Sequence, residues 1–129
     1  MKQVRQKCLA IAVAGLAHGC MTVPSVPVGT APVCHEEKQC AEMWDAAQLF
    51  VVHYAGMKLQ TVTNVVIETF NSPDYKTDLA MRVTKEPIGG GAYRLTAEAW
   101  CGNFLGCMPN ASVVVAAFNT QLKEIGNAP

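Results

Sequence analysis

Two cysteine pairs with the same spacing constrain this chain more than any other feature. Cys34 and Cys40 enclose HEEKQ, and Cys101 and Cys107 enclose GNFLG. Each pair lies beside one end of a segment with helical periodicity, so bonding 34 to 40 and 101 to 107 closes two short loops at helix ends. Each such loop restricts the unfolded chain by about 2 kcal/mol on entropic grounds. Four cysteines allow three complete connectivities. Cross-pairing would staple the first helix to the end of the last strand around a much longer loop; the local pairing is the expectation. A four-thiolate zinc site is the alternative. It would need free thiolates in an oxidising compartment, and five intervening residues exceed the roughly two to four of structural zinc knuckles. Neither pair has the CxxC spacing of thioredoxin-like redox motifs. No metal or cofactor is therefore expected.

The amino terminus supplies a setting in which disulfides persist. MKQVRQK carries Lys2, Arg5 and Lys7, and an apolar run from Cys8 to Ala17 follows. This is the order of an export signal, a positive region followed by an apolar one. A membrane-spanning helix needs about 20 apolar residues, and no later stretch reaches that length. The segment LAHGC, Leu16 to Cys20, resembles the lipobox of bacterial lipoproteins, where a diacylglycerol is attached to the cysteine and the chain is cut just before it. Gly19 fits that pattern; Ala17 and His18 depart from its usual Leu and small residue. The resemblance implies a signal peptide over residues 1–19, lipidation of Cys20 and membrane contact through that anchor. Met21, rather than the Asp associated with inner-membrane retention, implies the periplasmic face of the outer membrane. Ala17-His18-Gly19 also fits an ordinary signal-peptidase site, which would release a soluble protein, and an uncleaved amino-terminal helix is the third reading. With Cys8 removed and Cys20 lipidated, Cys34, Cys40, Cys101 and Cys107 remain, an even number.

Residues 20–33 are short of charge and rich in Pro, Gly, Ser and Thr, which predicts a flexible tether. Loss of Lys2, Arg5 and Lys7 would leave seven Lys/Arg against ten Asp/Glu, a formal charge of minus three. A mildly acidic protein without a basic cluster has no generic attraction to nucleic acid, and no nucleic-acid partner is expected.

Residues 34–126 read as one disulfide-stapled α+β domain, with 127–129 as a tail. Cys40, Trp44, Ala47, Val51 and Tyr54 recur at three- and four-residue steps, predicting a helix over 36–56. Residues 58–70, dense in β-branched side chains, predict a strand closed by the turn residues Asn71-Ser72-Pro73-Asp74. Residues 79–85 and 92–101 alternate with period two on either side of Gly89-Gly90-Gly91, predicting a hairpin. Residues 102–110 form a loop, and a last helix opens at Pro109 or Asn110 and ends at Gly126. The expected architecture is a helix, a three-stranded antiparallel meander and a second helix, with both helices on one sheet face. The order of these motifs, C-x5-C into MWDAA, then KLQT, VIET, RVTKEP and C-x5-C-MPN, resembles a group of small uncharacterised proteobacterial lipoproteins. That resemblance implies export and disulfides, and no chemistry.

Catalytic signals are weak. His35 reads as an exposed turn residue and His53 as a structural side chain at the edge of the first helix. Ser72 and Ser112 lie in neither GxSxG nor SxxK. Glu36, Glu37, Glu42 and Asp45 read as surface acidity, and Glu68 and Glu98 as solvated partners of Arg82, Lys85 or Arg94. The triple glycine joins two strands, unlike a phosphate loop, which joins a strand to a helix. Trp44 reads as core, whereas Trp100 and Phe104, beside the second cysteine pair, form a candidate partner surface. The expectation is a noncatalytic envelope lipoprotein that binds or scaffolds an envelope protein or small ligand. An envelope hydrolase and an inhibitor or immunity-like protein are the alternatives.

Overall fold

The structure is a computed structural model and describes residues 27–129. The expected signal peptide and Cys20 lie outside the described residues. The chain forms β1 (Val33–Cys34), α1 (Glu37–Tyr54), β2 (Leu59–Val62), β3 (Val66–Thr69), β4 (Ala80–Gly89), β5 (Ala92–Trp100) and α2 (Ala111–Gly126). The strands make one antiparallel sheet in the order β1-β5-β4-β3-β2. The expected three-stranded meander is therefore corrected to five strands, within an α+β fold that keeps two helices.

Two local events account for the extra strands. The segment 58–70 is divided by a turn that has neither glycine nor proline. Thr63 supplies it: its Oγ1 accepts from the amides of Val65 and Val66 at 3.2 and 3.0 Å, and its amide donates to the Val66 carbonyl at 2.8 Å. A threonine hydroxyl thus mimics a backbone acceptor inside a β-branched run. At the other edge, Val33 and Cys34 pair with Arg94 and Tyr93 of β5, and the Leu95 amide donates to the Pro32 carbonyl.

The end of the predicted tether is thereby part of the domain. Pro32 is fully buried, Asn119 Nδ2 donates to the Val28 carbonyl at 2.9 Å, and Lys123 Nζ donates to Thr30 Oγ1 at 2.8 Å. Hydrogen bonds from α2, and the burial of Pro32, override a composition that reads as spacer.

β4 runs past its expected end at Lys85, through Pro87, to Gly89. The amides of Met81 and Lys85 point toward β3, where they donate to Thr69 Oγ1 and the Val65 carbonyl. Pro87 belongs to the same alternating set, beyond the last β3 pair at Val66 and Thr84. Its missing N–H falls on a free edge, where a proline is tolerated. Gly90 and Gly91 have φ of 62° and 78°, the pair of positive angles required by the tight hairpin turn that matches strand twist.

The core lies between the helices and one sheet face. Met43, Ala47, Phe50 and Val51 of α1 and Val114, Phe118 and Leu122 of α2 pack on Ile67, Met81, Val83, Leu95 and Ala97. Phe50 meets Phe118 edge to face, with ring centroids 5.3 Å apart. Trp44 is buried as predicted, and its Nε1 donates to the Thr63 carbonyl at 3.2 Å, which ties α1 to the β2–β3 turn. α2 begins where Asn110 Oδ1 accepts from the amides of Ser112 and Val113.

Candidate functional site

Cys101 bonds to Cys107, and Cys34 to Cys40, each across a sequence separation of six. With all four sulfurs joined locally, the four-thiolate zinc alternative has no ligands. Among the described residues no group of three or more His, Cys, Asp or Glu is placed to hold a metal ion, and no helix is long and apolar enough to cross a membrane.

The sheet face turned away from the helices is polar. Arg82 lies between Glu68 of β3 and Glu98 of β5, Thr84 lies opposite Thr96, and Glu86 lies opposite Arg94. Arg82 Nε donates to Glu68 Oε1 at 3.1 Å; this hydrogen bond, then the carboxylate's charge, raise the guanidinium's hold on its proton. This row of polar side chains, with Arg82 and Glu68 as its partly exposed ion pair, suits water along the middle of the face. Trp100 stands at the end of this face, half-buried. Its Nε1 donates to Asn71 Oδ1 at 3.1 Å, and Arg82 lies 5.8 Å from its ring centroid. Its contacts are therefore largely made within the fold.

Phe104 is different. The disulfide closes residues 101–107, and within that loop the Gly106 amide donates to the Asn103 carbonyl while the Leu105 amide donates to Asn103 Oδ1. Asn103 thus fixes a turn with Phe104 and Leu105 at its apex. They are 82% and 84% exposed, and Met108, just past the disulfide, is 77% exposed.

A second segment braces the loop and adds a fourth apolar side chain. The Tyr75 amide donates to the Gly102 carbonyl at 2.9 Å, Asn103 Nδ2 donates to the Tyr75 carbonyl at 2.8 Å, and the Met108 amide donates to the Thr77 carbonyl. Gly102 makes this approach feasible: a Cβ there would overlap the Pro73 carbonyl. The Lys76 amide donates to the Pro73 carbonyl, so Tyr75 occupies the third position of a turn, with φ of 65°. A bulky residue in the left-handed region costs about 1–3 kcal/mol and persists where its surroundings over-determine it. The tyrosine held there is 76% exposed and makes no use of its side chain for packing.

The sequence offered Phe104 together with Trp100 as a partner surface; the structure sets Phe104 beside Leu105 at the loop apex, with Met108 and Tyr75 exposed on the adjoining segments, and Trp100 at the end of the sheet face. Leu105 and Met108 were legible as apolar residues in a cysteine-closed loop. Tyr75 carried no local signal, because its conformation is imposed by hydrogen bonds to residues 27 and 28 positions away.

The histidines do not assemble a common site. His35 precedes α1 and borders a cavity of about 400 Å³ with Glu36, Lys38 and Glu42. His53 sits in the last turn of α1, its Nδ1 3.0 Å from the Leu49 carbonyl. The helix between them rises sixteen residues from Glu37 to His53, roughly 24 Å, which keeps the two imidazoles far apart. Ser72 Oγ is buried and has no hydrogen-bond partner among the described residues, a poor position for a nucleophile that must meet substrate.

No family model, no curated protein and no solved structure matches this chain.

Proposed function

We propose that this protein is a noncatalytic binding module of the bacterial envelope and that it docks on another protein through the Cys101–Cys107 loop. The observation that carries the reading is the exposure of Phe104 and Leu105 at the apex of a loop braced by a disulfide and by backbone hydrogen bonds. Exposed apolar side chains on a pre-ordered loop are the kind of anchor that dominates protein interfaces, because little side-chain and backbone freedom is lost on docking. The absence of charge from residues 101–110 suits an apolar cleft in the partner better than a charged groove.

The export reading belongs to the same proposal. A signal peptide over residues 1–19 and a lipid on Cys20 place the domain on the periplasmic face of the outer membrane, where it meets other envelope proteins. The intact mass of protein isolated from membranes tests the anchor: it requires a new amino terminus at Cys20 and a lipid-sized increment. The docking arm is tested by mild crosslinking in cells followed by purification of the wild type and of F104S/L105S. A discrete adduct present in the wild type and lost in the variant supports docking; an identical adduct pattern contradicts it.

The disulfide-closed loop with its exposed apolar tip also favours a second reading, an inhibitor or immunity-like protein that presents the same tip to an exported enzyme. That reading requires the captured partner to lose activity when bound.

A further inference from the structure

The two disulfides span equal lengths of chain in unequal surroundings. Cys34 and Cys40 are 0% and 5% exposed and belong to the central core cluster. Cys101 and Cys107 are both half-buried; Cys107 packs against the margin of that cluster, and Cys101 stands outside it. Disulfide exchange requires a thiolate to approach one sulfur directly, so solvent access controls its rate. A bond at the surface can react from the native fold. One inside the core reacts only after the surrounding structure opens.

We propose that Cys101–Cys107 is a thiol–disulfide exchange site for dithiol reductants, while Cys34–Cys40 stays closed in the folded protein under the same conditions. A carrier thiolate attacks Sγ of Cys101, the cysteine of the pair that stands outside the core cluster, and forms a mixed disulfide. The Cys101–Cys107 bond breaks, and Cys107 leaves as a thiolate that takes a proton from water. The carrier's second thiol, deprotonated, then attacks the mixed disulfide at the carrier sulfur, which releases Cys101 as a thiolate that is protonated in turn. Two electrons and two protons pass to the protein's cysteines, and the dithiol becomes a disulfide.

Exchange at this position acts on the display of Phe104 and Leu105. The disulfide is the only covalent closure of their loop, and without it the turn depends on Asn103 and on the contacts to Tyr75 and Thr77. Reduction therefore loosens the docking tip and leaves the core and its own disulfide intact. This consequence rests on the docking reading; the exchange chemistry does not.

The test uses the folded, full-length mature protein and dithiothreitol without denaturant. Samples are quenched with acid, alkylated and mapped by peptide mass. Cys101 and Cys107 should become alkylated at least about tenfold faster than Cys34 and Cys40, with far-ultraviolet circular dichroism unchanged. A single rate for both pairs, earlier opening of Cys34–Cys40, or no reduction until denaturant is added would overturn the proposal. The crosslinking assay is then repeated on the selectively reduced, alkylated protein. Loss of the adduct supports redox control of docking. An undiminished adduct overturns that control but leaves the exchange site standing, and absence of an adduct in both states defeats the docking reading itself.

Discussion

Asn103 Nδ2 donates to the carbonyl oxygen of Tyr75 at 2.8 Å, joining residues 28 positions apart. The same side chain accepts, through Oδ1, from the Leu105 amide at 2.9 Å. One asparagine therefore fixes the apex of the disulfide loop and fastens it to the neighbouring turn. The exposed Tyr75, Phe104 and Leu105 are held in place by backbone contacts, which leaves their side chains free to meet a partner.

Asn103→Ala should loosen this arrangement with little effect on the core. Asn103 is only partly buried, and the exchanged hydrogen bonds are worth about 0.5–1.5 kcal/mol net. Urea unfolding should show a loss in that range. Hydrogen exchange at the Leu105 amide should accelerate, because its acceptor is gone; an unchanged rate would refute the role assigned to Asn103.

Tyr75→Gly separates display from folding. Glycine adopts the positive φ of 65° without strain, so stability should be unchanged or rise by up to about 1 kcal/mol despite glycine's greater entropy when unfolded. Adduct formation should fall because an exposed aromatic has been removed. A clear drop in thermal midpoint would show that the tyrosine ring stabilises the fold, contrary to its exposure.

Gly102→Ala should act in the opposite sense, damaging the scaffold while leaving every exposed apolar side chain in place. The added methyl would overlap the Pro73 carbonyl and must push the 73–76 turn away from the loop. A destabilisation of about 1–3 kcal/mol is expected from denaturant titration, the usual range for overpacking. Wild-type stability would mean that the two segments are not in close contact.

Asn119→Ala tests whether the segment before β1 belongs to the domain. Asn119 is 5% exposed and its amide holds the Val28 carbonyl. Removing it should cost about 1–2 kcal/mol and speed exchange at the Leu95 amide, whose acceptor is the Pro32 carbonyl. Unchanged exchange at Leu95 would show that β1 is held without this strap.

Much of this fold is visible in periodicity. The two helices and the glycine hairpin follow from three- and four-residue steps, two-residue alternation and a turn that needs positive φ. What escaped were features decided by neighbours. Thr63 breaks a β-branched run with its own hydroxyl, Pro87 survives in a strand because its nitrogen faces a free edge, and Pro32 is buried because α2 and β5 receive it. The site divides in the same way. A cysteine-closed loop bearing Phe104 is legible in one dimension, whereas Tyr75 joins it only through hydrogen bonds to Gly102 and Asn103. Trp100 looked like its companion in sequence, but Asn71 and Arg82 keep it on the sheet.

The most direct test of the central claim is photo-crosslinking in intact cells from single positions of the otherwise unaltered chain. A photoreactive phenylalanine analogue is placed at Phe104 and, as a control, at Thr120 on the exposed side of α2. Docking through the loop predicts one discrete, protein-sized adduct from position 104, absent from position 120 and abolished by adding L105S. Equal adducts from both positions, or none from position 104 in cells that produce the folded and exported protein, would contradict it.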